Sequence, residues 1–184
     1  PKPGTKVRRR SNSISVAKEY GADIVVVGGG MGGCAAALAA CRNGLSVVMT
    51  EETDWIGGQL SQQGVPPDEH QWIETHGAPA SYREYRNRVR DYYRRNYPLT
   101  DDAKARENLN PGDGSVSRLC HEPRVAVSVL VDMLAPYIST GKLKLLTDCK
   151  LRRADVVRDE VKAIEVELLK TGDRVILNAP CFVD

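Results

Sequence analysis

An α/β fold built on a parallel sheet is the architecture this sequence predicts, and three observations predict it. Ile24-Val25-Val26-Val27 is an unbroken β-branched run that ends at glycines, the pattern of a strand buried on both faces. Gly32 to Asn43 then carries the small residues of a close-packed helix, with Gly44 as its stop. Ser46-Val47-Val48-Met49-Thr50 is a second buried strand. Strand, helix and strand in so short a span make a βαβ unit, whose crossover is expected to be right-handed.

The remaining elements follow in order. Residues 1–20 hold Lys2, Lys6, Arg8, Arg9, Arg10 and Lys18 against Glu19 and read as a flexible basic tail. From Trp55 to about Ala80 the chain is loop-like, with Gly57, Gly58, Gly64, Pro66, Pro67, Gly77 and Pro79. Loops of this length in compact domains usually serve a site. A helix is expected over Ser81–Asn96, irregular chain from Leu99 to Leu119, and a helix from Pro123 to about Ile138, with Pro123 suited to its first turn. Four short strands follow at 143–148, 150–157, 161–169 and 174–178, and Cys181–Asp184 begins one more. The plan is one domain over 21–184, with an insert at about 55–120 and a β-meander at about 150–178.

Composition agrees with that plan. A chain of 184 residues suits one ordinary domain, and 41% hydrophobic residues with 16 glycines exclude a wholly disordered one. The 26 basic and 24 acidic side chains leave +2, too even a balance to imply a nucleic-acid partner. The longest apolar stretch, Cys34 to Cys41, is far short of the ~20 residues a membrane span requires, so no membrane association is expected. Five scattered cysteines without a Cys-x-x-Cys pair suit buried thiols in a reducing compartment, hence a cytoplasmic location, and define no metal site.

Chemistry enters at Gly28-Gly29-Gly30-Met31-Gly32-Gly33, which satisfies G-x-G-x-x-G at 28, 30 and 33. The pattern directly follows a strand, opens a helix and is answered by an acid, Glu51, at the end of the next strand, the spacing of a Rossmann-type dinucleotide-binding unit. Gly28 permits the turn out of the strand. Gly30 lets a diphosphate approach backbone N–H groups at the helix N-terminus. Gly33, with Ala36, Ala37 and Ala40 behind it, lets the helix pack close to the sheet. The Glu51 carboxylate can accept both hydroxyls of an adenosine ribose and repels a 2′-phosphate, which disfavours NADP. The fingerprint itself does not separate FAD from NAD.

Gly28–Gly33, Glu51 and then Gly57-Gly58-Gln59 resemble the N-terminal FAD-binding region of the glutathione-reductase-type flavoprotein superfamily. Trp55-Ile56-Gly57-Gly58-Gln59-Leu60, Gly64-Val65-Pro66-Pro67-Asp68-Glu69-His70 and Arg118-Leu119-Cys120-His121-Glu122-Pro123-Arg124 are similar to the group called FAD-dependent oxidoreductases. The resemblance implies FAD as cofactor, with Gly28, Gly30 and Gly33 at the pyrophosphate and Glu51 at the adenosine ribose. It implies Gly57, Gly58, Gln59 and Leu60 near the ribitol and flavin ring, and backbone groups around Leu151 at the adenine. In that superfamily a substrate domain follows the last strand, so the chain is expected to be truncated before it. A missing C-terminal half, or else a second polypeptide, would then complete the flavin pocket.

The activity implied is hydride transfer from a small organic substrate to FAD. Two alternatives belong to other classes: a non-catalytic dinucleotide-binding subunit or module, and an RNA-modifying flavoprotein. The last would use the helix in which Tyr82, Tyr85, Val89 and Tyr92 or Tyr93 form a stripe among Arg83, Arg86, Arg88, Arg90, Arg94 and Arg95. The first expectation for that stripe is packing, with the arginines solvated or paired and nucleic acid unlikely. His70, His76 and His121 are candidate proton carriers near a flavin, although structural roles are expected for them. No catalytic residue is assigned.

Overall fold

The computed structural model describes residues 18–184. Its strands are β1 (Lys18–Gly21), β2 (Ile24–Val26), β3 (Val47–Thr50), β4 (Leu143–Leu146), β5 (Cys149–Val157), β6 (Glu160–Leu168), β7 (Arg174–Asn178) and β8 (Cys181–Val183). Its α-helices are α1 (Met31–Arg42), α2 (Ala80–Asn96), α3 (Asp101–Ala105) and α4 (Pro123–Ser139), and one 3₁₀ turn spans Gly58–Leu60.

Two four-stranded sheets organise the chain. The first, in the order β4-β3-β2-β8, is wholly parallel, as the βαβ reading requires. The second, in the order β1-β7-β6-β5, is the expected meander with β1 added in parallel at its edge. Because side chains alternate along a strand, each parallel strand feeds two cores. Val26, Val47, Met49 and Leu143 face the helices, packing with Leu38, Val89 and Val129. Val25, Val48 and Phe182 face the meander, packing with Ile164, Val166 and Leu177. The result is three layers: helices, parallel sheet, meander.

Two elements differ from expectation. The expected tail lies outside the described residues up to Ser15-Val16-Ala17, but its last part, Lys18–Tyr20, belongs to strand β1, where Lys18 opposes Val175 and Gly21 opposes Asn178. Tyr20 explains this: its ring packs against the meander core and receives the Lys144 ammonium 4.4 Å from its centroid. Within the stretch expected to be irregular, α3 forms because Thr100 caps it, its side chain accepting the Ala103 N–H at 3.2 Å, and Asp101 and Asp102 favour the first turn. Thr-Asp-Asp was the available signal.

Candidate dinucleotide site

The turn between β2 and α1 is built from glycine because nothing larger fits at its inner positions. A Cβ on Gly33 would run into the Gly28 carbonyl oxygen and come within 3.3 Å of the Val26 side chain. Gly30, by contrast, faces open space, with no atom within 4 Å of the place a Cβ would take. No side chain caps the N-terminus of α1, and its first backbone bond runs from the Cys34 N–H to the Gly30 carbonyl at 2.9 Å. The preceding N–H groups therefore surround a positive helix end beside an open backbone position.

Glu51 follows β3 and is buried, 7% exposed. Its Oε2 accepts the Gly29 N–H at 3.0 Å. Its Oε1 accepts the Thr53 N–H at 2.9 Å, the Thr53 hydroxyl at 3.0 Å and the Gln62 amide at 3.1 Å. A carboxylate offers about four acceptor positions, two on each oxygen. The unused capacity is thus on Oε2, on the side of the glycine turn.

The Gly-Gly loop is docked on the same turn. Gly57 donates its N–H to the Gly29 carbonyl at 2.8 Å, and a Cβ on Gly58 would lie 3.1 Å from the Gly30 Cα. At Gly57 φ is +110° and a Cβ would approach Leu130 to 2.7 Å, so only glycine closes this contact. The Gly29 carbonyl also receives the Cys34 thiol at 3.3 Å, and burial pushes that thiol up to about 12, which keeps it a neutral donor. Leu60 is buried, and Gln59 and Leu60 border a cavity of about 380 Å³ between α1, α2, α4 and residues 67–79. Leu151 stands apart from this group. Its segment reaches the site through Cys149, whose N–H donates to the Glu51 carbonyl at 2.9 Å, two residues earlier on β5.

The histidines divide. His121 is half-buried in the chain and fully engaged: its Nδ1 donates to the Leu119 carbonyl at 2.9 Å, so its Nε2 accepts the Tyr85 hydroxyl at 2.9 Å. Desolvation holds its pKa below the usual 6.5, and the ring is neutral. That arrangement is structural. His70 and His76 flank the exposed Trp72, and His70 borders the cavity.

The tyrosine stripe of α2 packs as expected, with Tyr85, Val89 and Tyr93 buried. Arg86 and Arg90 lie on that same face, buried rather than solvated. Arg86 pairs with Glu69 and Glu74, and Arg90 pairs with Glu74 at 2.6 Å and donates to the Leu109 carbonyl at 2.9 Å. This cluster was missed in the sequence, although 85, 86, 89, 90 and 93 share one helical face. Two of the arginines that would serve an RNA are therefore consumed inside the fold.

A glycine turn at a helix N-terminus with an acid ending the next strand is the arrangement of a dinucleotide-binding unit, and here the Gly-Gly loop is seated on that turn. The model of the family described as FAD dependent oxidoreductase matches residues 23–184. The chain belongs to that family and carries a FAD-binding portion of such an oxidoreductase. Similar solved structures include Sdh1 of Mycobacterium smegmatis in complex with UQ1, with 14% identity and a TM-score of 0.53, covering 90% of this chain and 33% of that one. The myxobacterial chondrochloren halogenase CndH, a FAD-dependent halogenase, shares 14% identity at a TM-score of 0.51, covering 89% and 37%. The glycerol-3-phosphate dehydrogenase of Bacillus halodurans complexed with FAD shares 13% at 0.50, covering 88% and 33%. These likenesses establish the fold, and the chain spans about a third of the length of each of these three proteins. No curated protein matches the chain. Among the described residues no helix is long and apolar enough to cross a membrane.

Proposed function

We propose that this chain holds the adenosine and diphosphate half of FAD in a glutathione-reductase-type oxidoreductase that takes hydride from a small organic substrate. The observation that carries the reading is the pairing of Glu51 Oε2 with the Gly29 N–H at 3.0 Å, beside a Gly30 with open space where a side chain would stand. That arrangement puts an anionic acceptor for ribose hydroxyls next to a positive helix end for a diphosphate. Gly28, Gly30 and Gly33 would hold the diphosphate, Glu51 the ribose through Oε2, and backbone groups of β5 near Leu151 the adenine.

Gly57 and Gly58 carry the cofactor path from the glycine turn toward Gln59 and Leu60, which border the cavity. When bound, the flavin supplies the hydride-accepting ring, a chemistry no protein side chain provides. The chain's own contribution is to bind, to orient and to exclude water with the apolar walls of the cavity. A reducing, cytoplasmic setting belongs to the same reading and is supported by five free thiols, four of them buried.

The test is the visible spectrum of the purified protein together with the mass of any released cofactor. The two visible bands of an oxidised flavin, with FAD released on denaturation, are expected. A colourless protein that gains no colour on incubation with FAD overturns the proposal.

A further inference from the structure

The two oxygens of Glu51 are held unequally. Oε2 has one partner, the Gly29 N–H at 3.0 Å. Oε1 meets the Thr53 N–H at 2.9 Å, the Thr53 hydroxyl at 3.0 Å and the Gln62 amide at 3.1 Å, which exhausts the two acceptor positions of a carboxylate oxygen. The Thr53 donors come from the next turn of chain, but Gln62 is eleven residues away in sequence and reaches back to Oε1. Its amide nitrogen also faces the Thr53 hydroxyl oxygen and the Trp55 carbonyl. A carbonyl and a carboxylate only accept, so the NH₂ of Gln62, and not its oxygen, must stand between Trp55 and Glu51.

The chain places Gln62 there through the Gly-Gly loop. Gly57 starts the loop with its N–H on the Gly29 carbonyl at 2.8 Å, and the turn over Gly58–Leu60 reverses it. Ser61 is buried and ends the turn, its N–H on the Gly58 carbonyl at 3.0 Å and its hydroxyl on the Ile56 carbonyl at 2.7 Å. Gln62 follows at once. The contacts therefore close a ring from Gly29 through Gly57 and the turn to Gln62, on to Glu51 Oε1, and from Oε2 back to Gly29.

The terminal torsion of a glutamate side chain is soft, so pinning one oxygen is what aims the other. We infer that Gln62 is a positioning residue of the nucleotide site: its amide occupies Glu51 Oε1 and thereby directs Oε2 to the ribose hydroxyls. The inference rests on the functional reading above and adds to it that the Gly-Gly loop sets the grip on the ribose at the far end of the cofactor. The Gln62 side chain belongs to an exposed residue, so its replacement leaves both cores untouched.

The experiment uses the full chain and two probes, ADP and 2′,3′-dideoxy-ADP, which differ only in the ribose hydroxyls, with affinities measured by calorimetry. The unaltered protein is expected to prefer ADP by at least about tenfold, the factor for hydrogen bonds to a charged acceptor. In Gln62→Ala that preference is expected to shrink by about three- to tenfold, the worth of one hydrogen bond, with the dideoxy affinity unchanged. Gln62→Glu keeps the size of the side chain but sets a second carboxylate against Oε1, and its preference is expected to shrink at least as far. In a Glu51→Ala background Gln62→Ala is expected to change nothing further, because no carboxylate is left to aim.

A preference kept by Gln62→Ala or by Gln62→Glu, an equal loss for both probes, or an undiminished effect of Gln62→Ala in the Glu51→Ala background each overturn the inference and leave the ribose role of Glu51 standing. An unaltered protein that binds ADP no better than the dideoxy probe, or neither of them, overturns the reading of Glu51 itself, so the two failures are distinct.

Discussion

Glu51 and Gly29 are joined by a hydrogen bond of 3.0 Å between residues on consecutive strand ends, so the acid of the site is also a fastener of the glycine turn. A Cβ on Gly29 would come within 2.9 Å of the Glu51 Cβ, which fixes how close the two ends stand. One consequence is that Glu51→Ala carries two costs. FAD affinity is expected to fall by about 1.5–3 kcal/mol, the range for hydrogen bonds to a charged group. Folding stability falls with it, since the Gly29 and Thr53 donors lose their acceptor. Calorimetric titration with FAD and urea unfolding measure the two separately, and an unchanged affinity removes Glu51 from the ribose.

Gly33 and Gly32 make a paired test of the turn. Gly33→Ala presses a methyl onto the Gly28 carbonyl and is expected to destabilise by about 1–3 kcal/mol and to weaken FAD binding. Gly32→Ala meets nothing within 4 Å and lies inside α1, where alanine is the better helix former by about 0.8–1 kcal/mol. Its urea midpoint should hold or rise. Equal losses in both variants would mean that helix composition, not the close approach, governs the turn.

Arg86 sits in the interior with two carboxylates, Glu69 and Glu74. Removing it strands buried negative charge, so Arg86→Ala is expected to cost about 3–5 kcal/mol. Arg88, whose side chain is 40% exposed and pairs with Glu84 and Asp132, provides the contrast: Arg88→Ala is expected to stay within about 1 kcal/mol. Denaturant unfolding of the two variants decides it.

His121 sets a pH dependence. Its folded pKa lies below 6.5, so on acidification the unfolded chain takes up the proton first. The stability given by the neutral ring is complete above about pH 6.5 and is lost as pH falls through the lower folded value. Burial is the largest cause, and it outweighs the opposing hydrogen bond to the Leu119 carbonyl. The stability difference between the unaltered protein and His121→Gln should therefore shrink from about pH 7.5 to about pH 5. A constant difference would mean that the ring does not change its charge between the folded and unfolded states over that range.

The parts of this molecule legible in the sequence are those where one local pattern carries the information. The β-branched runs at Ile24–Val27 and Val47–Thr50, the glycines between them and the meander hairpins were all read correctly, because each answers to a turn or a periodicity of its own. Strand β1 was not, since Lys18-Glu19-Tyr20 is polar and becomes a strand only because β7 offers an open edge. The Glu69–Arg86–Glu74–Arg90 cluster was hidden for the same reason. Four charged residues from a loop and a helix look solvated until folding brings them into pairs.

The parallel sheet has a kinetic consequence. Its inner strand β2 is flanked by β3 on one side and β8 on the other, and Ile24 opposes Cys181. In synthesis order the glycine turn and Glu51 precede β8, which can pair beside β2 only after the insert and the meander have been made. The meander hairpins close locally and can form first, whereas the pairing of residue 24 with residue 181 requires a long loop to be closed. Until then the Val25 face of β2 lacks its Phe182 neighbour and is most exposed to misassociation, and a ligand that engages the glycine turn and Glu51 would favour the folded state.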